Sequence, residues 1–299
     1  MSEALTLGID IGGTKIAGAL VDRLGLLHSE ISRIPTPRGP AEVIAAVIRL
    51  ACKIDAGRRA VAIGVGSAGV FDVAGVVTSA TDIMPGWRGT DLAGELRDAL
   101  GMPAVALNDV QAAALGEGLA GAARDLPSFL MVAIGTGIGG AAVIGGQLVR
   151  GAHDVAGSIG HISVAEADGL VCSCGRTGHL EALASGPALA ARYHELSGRQ
   201  LVDLSELPRD AIADGVLRAA AAGLGTALAG AAAMLDPHLI VVGGGVSALG
   251  SRLLDPAREI FRDRAFGPVA DVAIVPTASG APTIVGAGAA AFDALSSTS

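Results

Sequence analysis

The sequence predicts an α/β protein made of two related halves. Three observations carry that prediction. Strand-like and helix-like segments alternate along the whole chain. The segments IDIGGTKIAGAL (9–20) and VAIGTGIGGAAVIG (132–145) read as two copies of one device, a hairpin with a glycine corner. A third glycine cluster, LIVVGGGVS (239–247), stands between a buried strand and a following helix.

Composition limits what such a chain can be. At 299 residues, 51% hydrophobic and 17% charged, it can build one large domain or two ordinary ones. Aromatics are only 2%, so Ala, Val, Leu, Ile and Gly must fill the core, and 44 glycines call for tight turns or close backbone approaches. A net charge of −8 denies it the dense basic face that nucleic acid requires. The start, MSEALTLGID, has no basic stretch leading into a long apolar run, so no signal peptide is expected. The uncharged segment Ala219–Leu235 is mostly Ala and Gly, which fits a buried helix and not a membrane span. Of three cysteines, two sit at Cys-x-Cys spacing, which suits a metal site in a reducing compartment, hence the cytoplasm.

The elements follow in order. Residues 4–10, 15–22 and 27–33 read as strands, apolar runs joined by short turns. A helix over 40–55 comes next, then a strand at 61–66 and a helix at 91–100. The short strand PAVAL (103–107) runs straight into Asn108-Asp109, and an Ala-rich helix follows over about 110–121. From Ser128 the second half repeats the opening, as strand, glycine turn, strand, turn, strand. The duplication puts a domain boundary near 107, giving a small domain 1–107, a large domain 108–282 and a C-terminal helix 283–299.

A glycine turn lets backbone N–H groups converge on an anion, because no Cβ blocks the approach. Asp10 precedes the first turn, Gly12 and Gly13 form it, and Thr14-Lys15 follow. The hydroxyl and ammonium can reach phosphate oxygens, while the carboxylate can hold magnesium through water. Lys15 is one of only two lysines, with Lys53, among 21 basic residues. In the second copy Thr136, next to Gly137, takes the hydroxyl role. Two such hairpins facing each other would grip a triphosphate between two domains; the bland reading is that the glycines only permit sharp turns. Gly135, Gly137 and Gly140 also satisfy G-x-G-x-x-G, but the dinucleotide fingerprint needs a helix next and an acidic residue about 20 positions on. Here AAVIGGQLV reads as a hairpin and 155–160 is VAGSIG, so that reading fails. Further on, His161, Cys172, Cys174 and His179 give H-x10-C-x-C-x4-H, four ligands suited to a closed tetrahedral zinc site. Two buried free cysteines beside unrelated histidines are the alternative.

In combination these motifs resemble the ROK family (repressors, open reading frames, kinases) of bacterial sugar kinases. GIDIGGTKIAGAL resembles its first phosphate motif, IGTGIGG its second, and DPHLIVVGGGV, with Gly243, Gly244 and Gly245, its adenosine-side segment. GVGSAGVFDVAGVV, which contains Gly69, and MPGW (84–87) also match, although Ala68 stands where the family has proline. The resemblance covers nearly the whole chain. It implies an actin/hexokinase-like, ribonuclease-H-like duplicated fold with an interdomain cleft and a C-terminal helix returning to the first domain.

It also implies roles. Position alone makes Asn108-Asp109 a helix cap. In the family's pattern the pair binds the sugar and Asp109 is the catalytic base. The frame C-x-C-G-x-x-G-h-x-E resembles the ROK zinc motif with His179 replacing its last cysteine, and implies a structural zinc whose loop carries His161 and Glu181 toward the sugar. Where the family reads E-x-G-H, this chain reads Ser158-Ile159-Gly160-His161, so one carboxylate expected on the sugar is missing. The expected function is Mg-ATP-dependent phosphorylation of a hexose at its 6-hydroxyl, by a homodimer. The alternatives are a kinase for an amino- or N-acylamino-hexose (kanosamine, N-acetylglucosamine or N-acetylmannosamine), a sugar-responsive regulator of the same family, and a sugar sensor without catalysis. A helix-turn-helix would precede the first phosphate motif in a regulator, whereas here that motif begins at Gly8.

Overall fold

A computed structural model of the chain describes residues 4–80, 85–201 and 203–297; Met84 of the MPGW segment and the last two positions of the helix expected to 299 lie outside them. The chain forms two compact units. Unit 1 takes the chain up to Asp125, Arg150–Ala156 and everything from Thr277, and unit 2 takes Leu126–Val149 and Gly157–Pro276.

In unit 1, Leu5–Ile11 (β1) and Lys15–Val21 (β2) form the first glycine-cornered hairpin, and Ser32–Pro35 (β3) extends it. The strand expected over 27–33 thus begins only at Ser32. The reason is Asp22, whose Oδ1 accepts the N–H groups of Leu24 and Leu26, each at 2.9 Å. Its Oδ2 meets His28 Nε2 at 2.7 Å, so the chain spends these residues on a capped loop. Pro40–Ile54 (α1) crosses over to Ala60–Ser67 (β4), parallel to β1. A small ribbon of Val70–Phe71 (β5) and Val77–Ser79 (β6) follows. Then come Leu92–Leu100 (α2), capped by Asp91 with a bond of 2.8 Å from Gly94 N, Ala104–Asn108 (β7) parallel to β4, and Asp109–Ala120 (α3). The sheet order is β3-β2-β1-β4-β7.

Unit 2 repeats this order. Phe129–Ile134 (β8), Ile138–Ile144 (β9) and Gln147–Leu148 (β10) form the antiparallel part. After Glu181–Ala184 (α4), Gly186–Ser197 (α5) and Ala211–Leu235 (α6), Leu239–Gly243 (β11) adds parallel to β8. Ser251–Arg264 (α7) and Ala273–Pro276 (β12) complete the order β10-β9-β8-β11-β12. Two hairpins followed by two helical crossovers in each half are the duplication the glycine hairpins announced. Helix α6 is long and apolar enough to cross a membrane by length and composition, but 67% of its apolar window is buried in the unit. Its Leu217, Leu224 and Leu228 lie in the core with Val132, Ile240 and Phe261.

The last helix, Pro282–Ser297 (α8), packs on β1, β4 and α3 of unit 1. It does so at backbone contact: a Cβ on Gly64 of β4 would overlap the Ala287 carbonyl, and one on Gly286 would overlap the Ala112 carbonyl. Fully buried Glu117 fixes the chain leading into α8. Its carboxylate accepts the N–H groups of Ala122 (2.7 Å), Ser279 (3.0 Å) and Ala278 (3.2 Å). These contacts keep α3, which the duplication assigns to the second half, in unit 1.

Candidate active site

Unit 1 gathers one set of candidates. The first glycine turn is pinned from outside by Thr36, whose Oγ donates to the Gly12 carbonyl at 2.6 Å and whose N–H donates to the Thr14 carbonyl at 3.1 Å. Gly13, Thr14 and Lys15 are left exposed at its tip. At the end of β7, Asn108 has two jobs. Its Oδ1 caps α3 by accepting from Val110 N (2.9 Å) and Gln111 N (3.3 Å), while its Nδ2 donates to the Gly69 carbonyl at 3.0 Å. The capping reading is therefore right for Asn108, and it frees Asp109 to be the first helical residue. The Asp109 carboxyl accepts from Val110 N at 2.9 Å.

Electrostatics single out two carboxyls here. Burial, then the charge of Asp109, push Asp10 up to about 6, with Lys15 pulling the other way. Asp109 is raised as well, by burial, against the N–H groups of Val110 and of its own backbone and the side chain of Asn108. Asp10 thus feels both Lys15, five positions on, and Asp109, 99 positions on. Two crowded carboxyls beside an ammonium and a glycine turn can hold a hydrated divalent cation and take up a proton.

Unit 2 gathers the other set. The turn Gly135–Gly137 closes on itself through Gly135 N to Gly137 O at 2.8 Å, and β9 follows it, not the helix a dinucleotide site needs. Gly243 pairs with Ala133, so Gly243, Gly244 and Gly245 leave the C-terminal end of β11 beside this turn. The N-terminus of α5 is bonded there too, Gly186 N to Gly135 O at 2.8 Å. Thr136 and the Gly243–Gly245 segment therefore share one end of a parallel strand pair, where α/β sheets bind ligands.

The four metal candidates come together, their ligand atoms all within 4.8 Å of one another. His161 Nδ1 lies 3.4 Å from His179 Nδ1 and 3.8 Å from Cys172 Sγ, and Cys174 Sγ lies 3.3 Å from His179 Nδ1. Bonds of about 2.3 Å to sulfur and about 2.0–2.1 Å to nitrogen put tetrahedral zinc ligands roughly 3.3–3.8 Å apart, a range into which these three spacings fall, so the four residues could hold such an ion. Burial pushes the Cys172 thiol up, so metal binding there would displace its proton. Glu181, the first residue of α4, has Oε2 accepting from Ile138 N at 2.8 Å and Oε1 accepting from Ser173 Oγ at 2.5 Å. Ser158 is exposed, and its carbonyl accepts from His161 N at 3.1 Å. Sequence reasoning missed Thr36 and Ser173, though the place of Ser173 inside Cys-x-Cys was a signal.

The ROK family model matches residues 6–292. The chain is 35% identical to a glucokinase from Streptomyces coelicolor over 295 residues, covering 90% of this chain and 92% of that protein. It is also 35% identical to an N-acetylmannosamine kinase from Escherichia fergusonii over 248 residues, covering 81% and 83%. Among solved structures it is similar to a ROK family glucokinase from Streptomyces griseus in complex with glucose and AMPPNP. That match has a TM-score of 0.82 and 33% identity, with 97% of this chain and 100% of that chain covered.

Proposed function

The chain belongs to the ROK family, and on that premise we propose that it transfers the γ-phosphoryl group of ATP to the 6-hydroxyl of a hexose or hexose derivative, with Asp109 as general base. The observation that carries this reading is Asp109 itself. It stands at the end of β7, with Asn108 locked on Gly69 beside it and with Asp10 of the first glycine turn in its field. An ATP-dependent sugar kinase needs positioning, charge neutralisation and a base for the hydroxyl proton. Asn108 and Gly69 are the candidates for ring hydroxyls in unit 1, and His161, Glu181 and Ser158 are the sugar-contact candidates in unit 2. Asp109 takes the proton of the 6-hydroxyl as its oxygen bonds to the γ-phosphorus and the bond from that phosphorus to the β,γ-bridging oxygen breaks. ADP leaves, and Asp109 returns the proton to solvent. A carboxyl raised by burial is a stronger base than a free one, which suits this task.

Gly12, Gly13, Thr14 and Lys15 are the phosphate candidates of unit 1; in unit 2 Thr136 and Gly137 are the phosphate candidates and Gly243–Gly245 the adenosine-side ones. Asp10 would hold magnesium, and the ion would supply neutralisation of phosphate charge. His161, Cys172, Cys174 and His179 would hold zinc, which would supply a structural cross-link in a loop with little regular structure. Reduced cysteines and an ATP requirement both fit the cytoplasm. A homodimer belongs to the same proposal.

One observation favours a modified hexose as acceptor: Ser158, exposed, offers one short neutral hydroxyl where a glutamate would offer two charged oxygens. An N-acetylmannosamine kinase among the relatives at 35% identity supports keeping that reading. The base is tested by Asp109→Asn, which preserves shape but cannot accept the proton. It should keep the fold and most of the sugar affinity and lower kcat at least ~10²-fold in a coupled ADP-release assay. A near wild-type rate would reduce Asp109 to a helix residue.

A further inference from the structure

Glu181 carries more than a sugar contact. Both of its oxygens already accept from protein groups that belong to two different devices of unit 2. Ile138 N, which donates to Oε2 at 2.8 Å, is the first residue after the second phosphate turn. Ser173 Oγ, which donates to Oε1 at 2.5 Å, stands between the two cysteines of the metal cluster, and Cys172 Sγ lies 3.7 Å from the same oxygen. Space has been cleared for the first bond: a Cβ on Gly137 would come within 2.6 Å of Oε2. The same short segment is tied to the turn a second time, through Gly186 N on the Gly135 carbonyl at 2.8 Å. Residues 181–186 therefore clasp the turn that carries Thr136 at both of its ends, and one of the clasps hangs on the metal loop.

Oε2 accepts one donor and keeps a lone pair, so this arrangement does not compete with a sugar hydroxyl. What it adds is mechanical. With the metal bound, Cys172, Cys174 and His179 are fixed, Ser173 between them is fixed, and Glu181 is held at both oxygens. Without the metal the Ser173 side of the carboxylate is released, and the turn loses a support on the side where phosphate must bind. We infer that Glu181 is a positioning residue coupling the metal loop to the second phosphate turn, so that metal occupancy sets the affinity for nucleotide as well as for sugar. The inference rests on the kinase reading for the assignment of that turn to phosphate.

The test measures binding, not turnover, so a failed base assignment at Asp109 leaves it intact. Protein purified without chelator should hold about one zinc per chain by metal analysis. Calorimetric titration with Mg-ADP, and separately with glucose, compares the zinc-loaded wild type, the chelator-stripped wild type, Glu181→Gln and Ser173→Ala, with circular dichroism to confirm the fold. Stripping zinc should raise the Kd for Mg-ADP about tenfold. Zinc-loaded Ser173→Ala, which keeps every metal ligand and the carboxylate, should raise the Kd for Mg-ADP and the Kd for glucose severalfold. Glu181→Gln should weaken Mg-ADP binding even with zinc present, and stripping it should add little. Mg-ADP affinity that is indifferent to zinc, or equal loss on stripping the wild type and Glu181→Gln, overturns the coupling. So does a Ser173→Ala protein that binds Mg-ADP as the wild type does, or purified protein without zinc. Failure of every form to bind Mg-ADP overturns the kinase reading together with it.

Discussion

At the scale of single residues, the carboxyl pair Asp10 and Asp109 governs how the protein responds to pH. Asp10 titrates at about 6 in the folded chain against 3.8 for a free carboxyl, so the fold favours its protonated form. That contribution is fully present below pH 3.8 and is lost as pH rises through about 6. Thermal melts of the nucleotide-free protein should show this group costing stability between those limits, and Asp10→Asn should flatten the slope. On the proposed mechanism activity runs the other way, because Asp109 as base and Asp10 as metal holder must both be ionised. The pH profile of kcat/KM should therefore fall on the acid side as Asp10 takes up its proton at about 6. An acid limb near 4 would show that neither raised carboxyl matters to catalysis. Ser158 is the proposed specificity determinant at the same scale. If a modified hexose is the preferred acceptor, Ser158→Glu should shift kcat/KM toward glucose by roughly tenfold. A wild type that already prefers glucose, with no gain in the variant, would remove Ser158 from the specificity set.

At the scale of elements, the glycines inside helices divide by what faces them. Gly286 in α8 presses on the Ala112 carbonyl of α3, whereas Gly230 in α6 is exposed and has nothing within 4 Å of where a Cβ would be. Alanine favours helix over glycine by about 1 kcal/mol at an open site, and overpacking costs about 1–3 kcal/mol. Gly230→Ala should raise the melting temperature by a few degrees and Gly286→Ala should lower it, opposite signs for one substitution in one kind of element. Equal effects in denaturant unfolding would mean that α8 does not sit at backbone contact.

At the scale of the whole molecule, the chain's last helix completes its first unit. Ile284, Val285 and Phe292 are buried on α8, which packs on the sheet of unit 1 and on α3. Burying each contributes about 1.5–3 kcal/mol, so together they rival a typical net stability of about 5–15 kcal/mol. A chain stopped after Pro276 keeps every phosphate, sugar and metal candidate, yet it should fail to fold cooperatively. Circular dichroism and thermal melting of that truncation would read the outcome, and a native-like cooperative melt would refute it.

Local rules carried the sequence a long way, because glycine corners, strand periodicity and Cys-x-Cys spacing are properties of neighbouring residues. The two hairpins, the duplicated order of elements, the Asn108 cap and the grouping of His161, Cys172, Cys174 and His179 are all local signals, and the fold has all of them. The strand placed over 27–33 failed because Asp22 and His28 close a loop whose cost periodicity does not register. Other features depend on distance in space alone. The field of Asp109 on Asp10, the seat of Gly64 under Ala287 and the span of Glu181 from Ser173 to Ile138 join residues that no spacing rule connects. Charge interaction and steric contact act through space, so only the folded chain decides which carboxyl is raised and which glycine must stay bare.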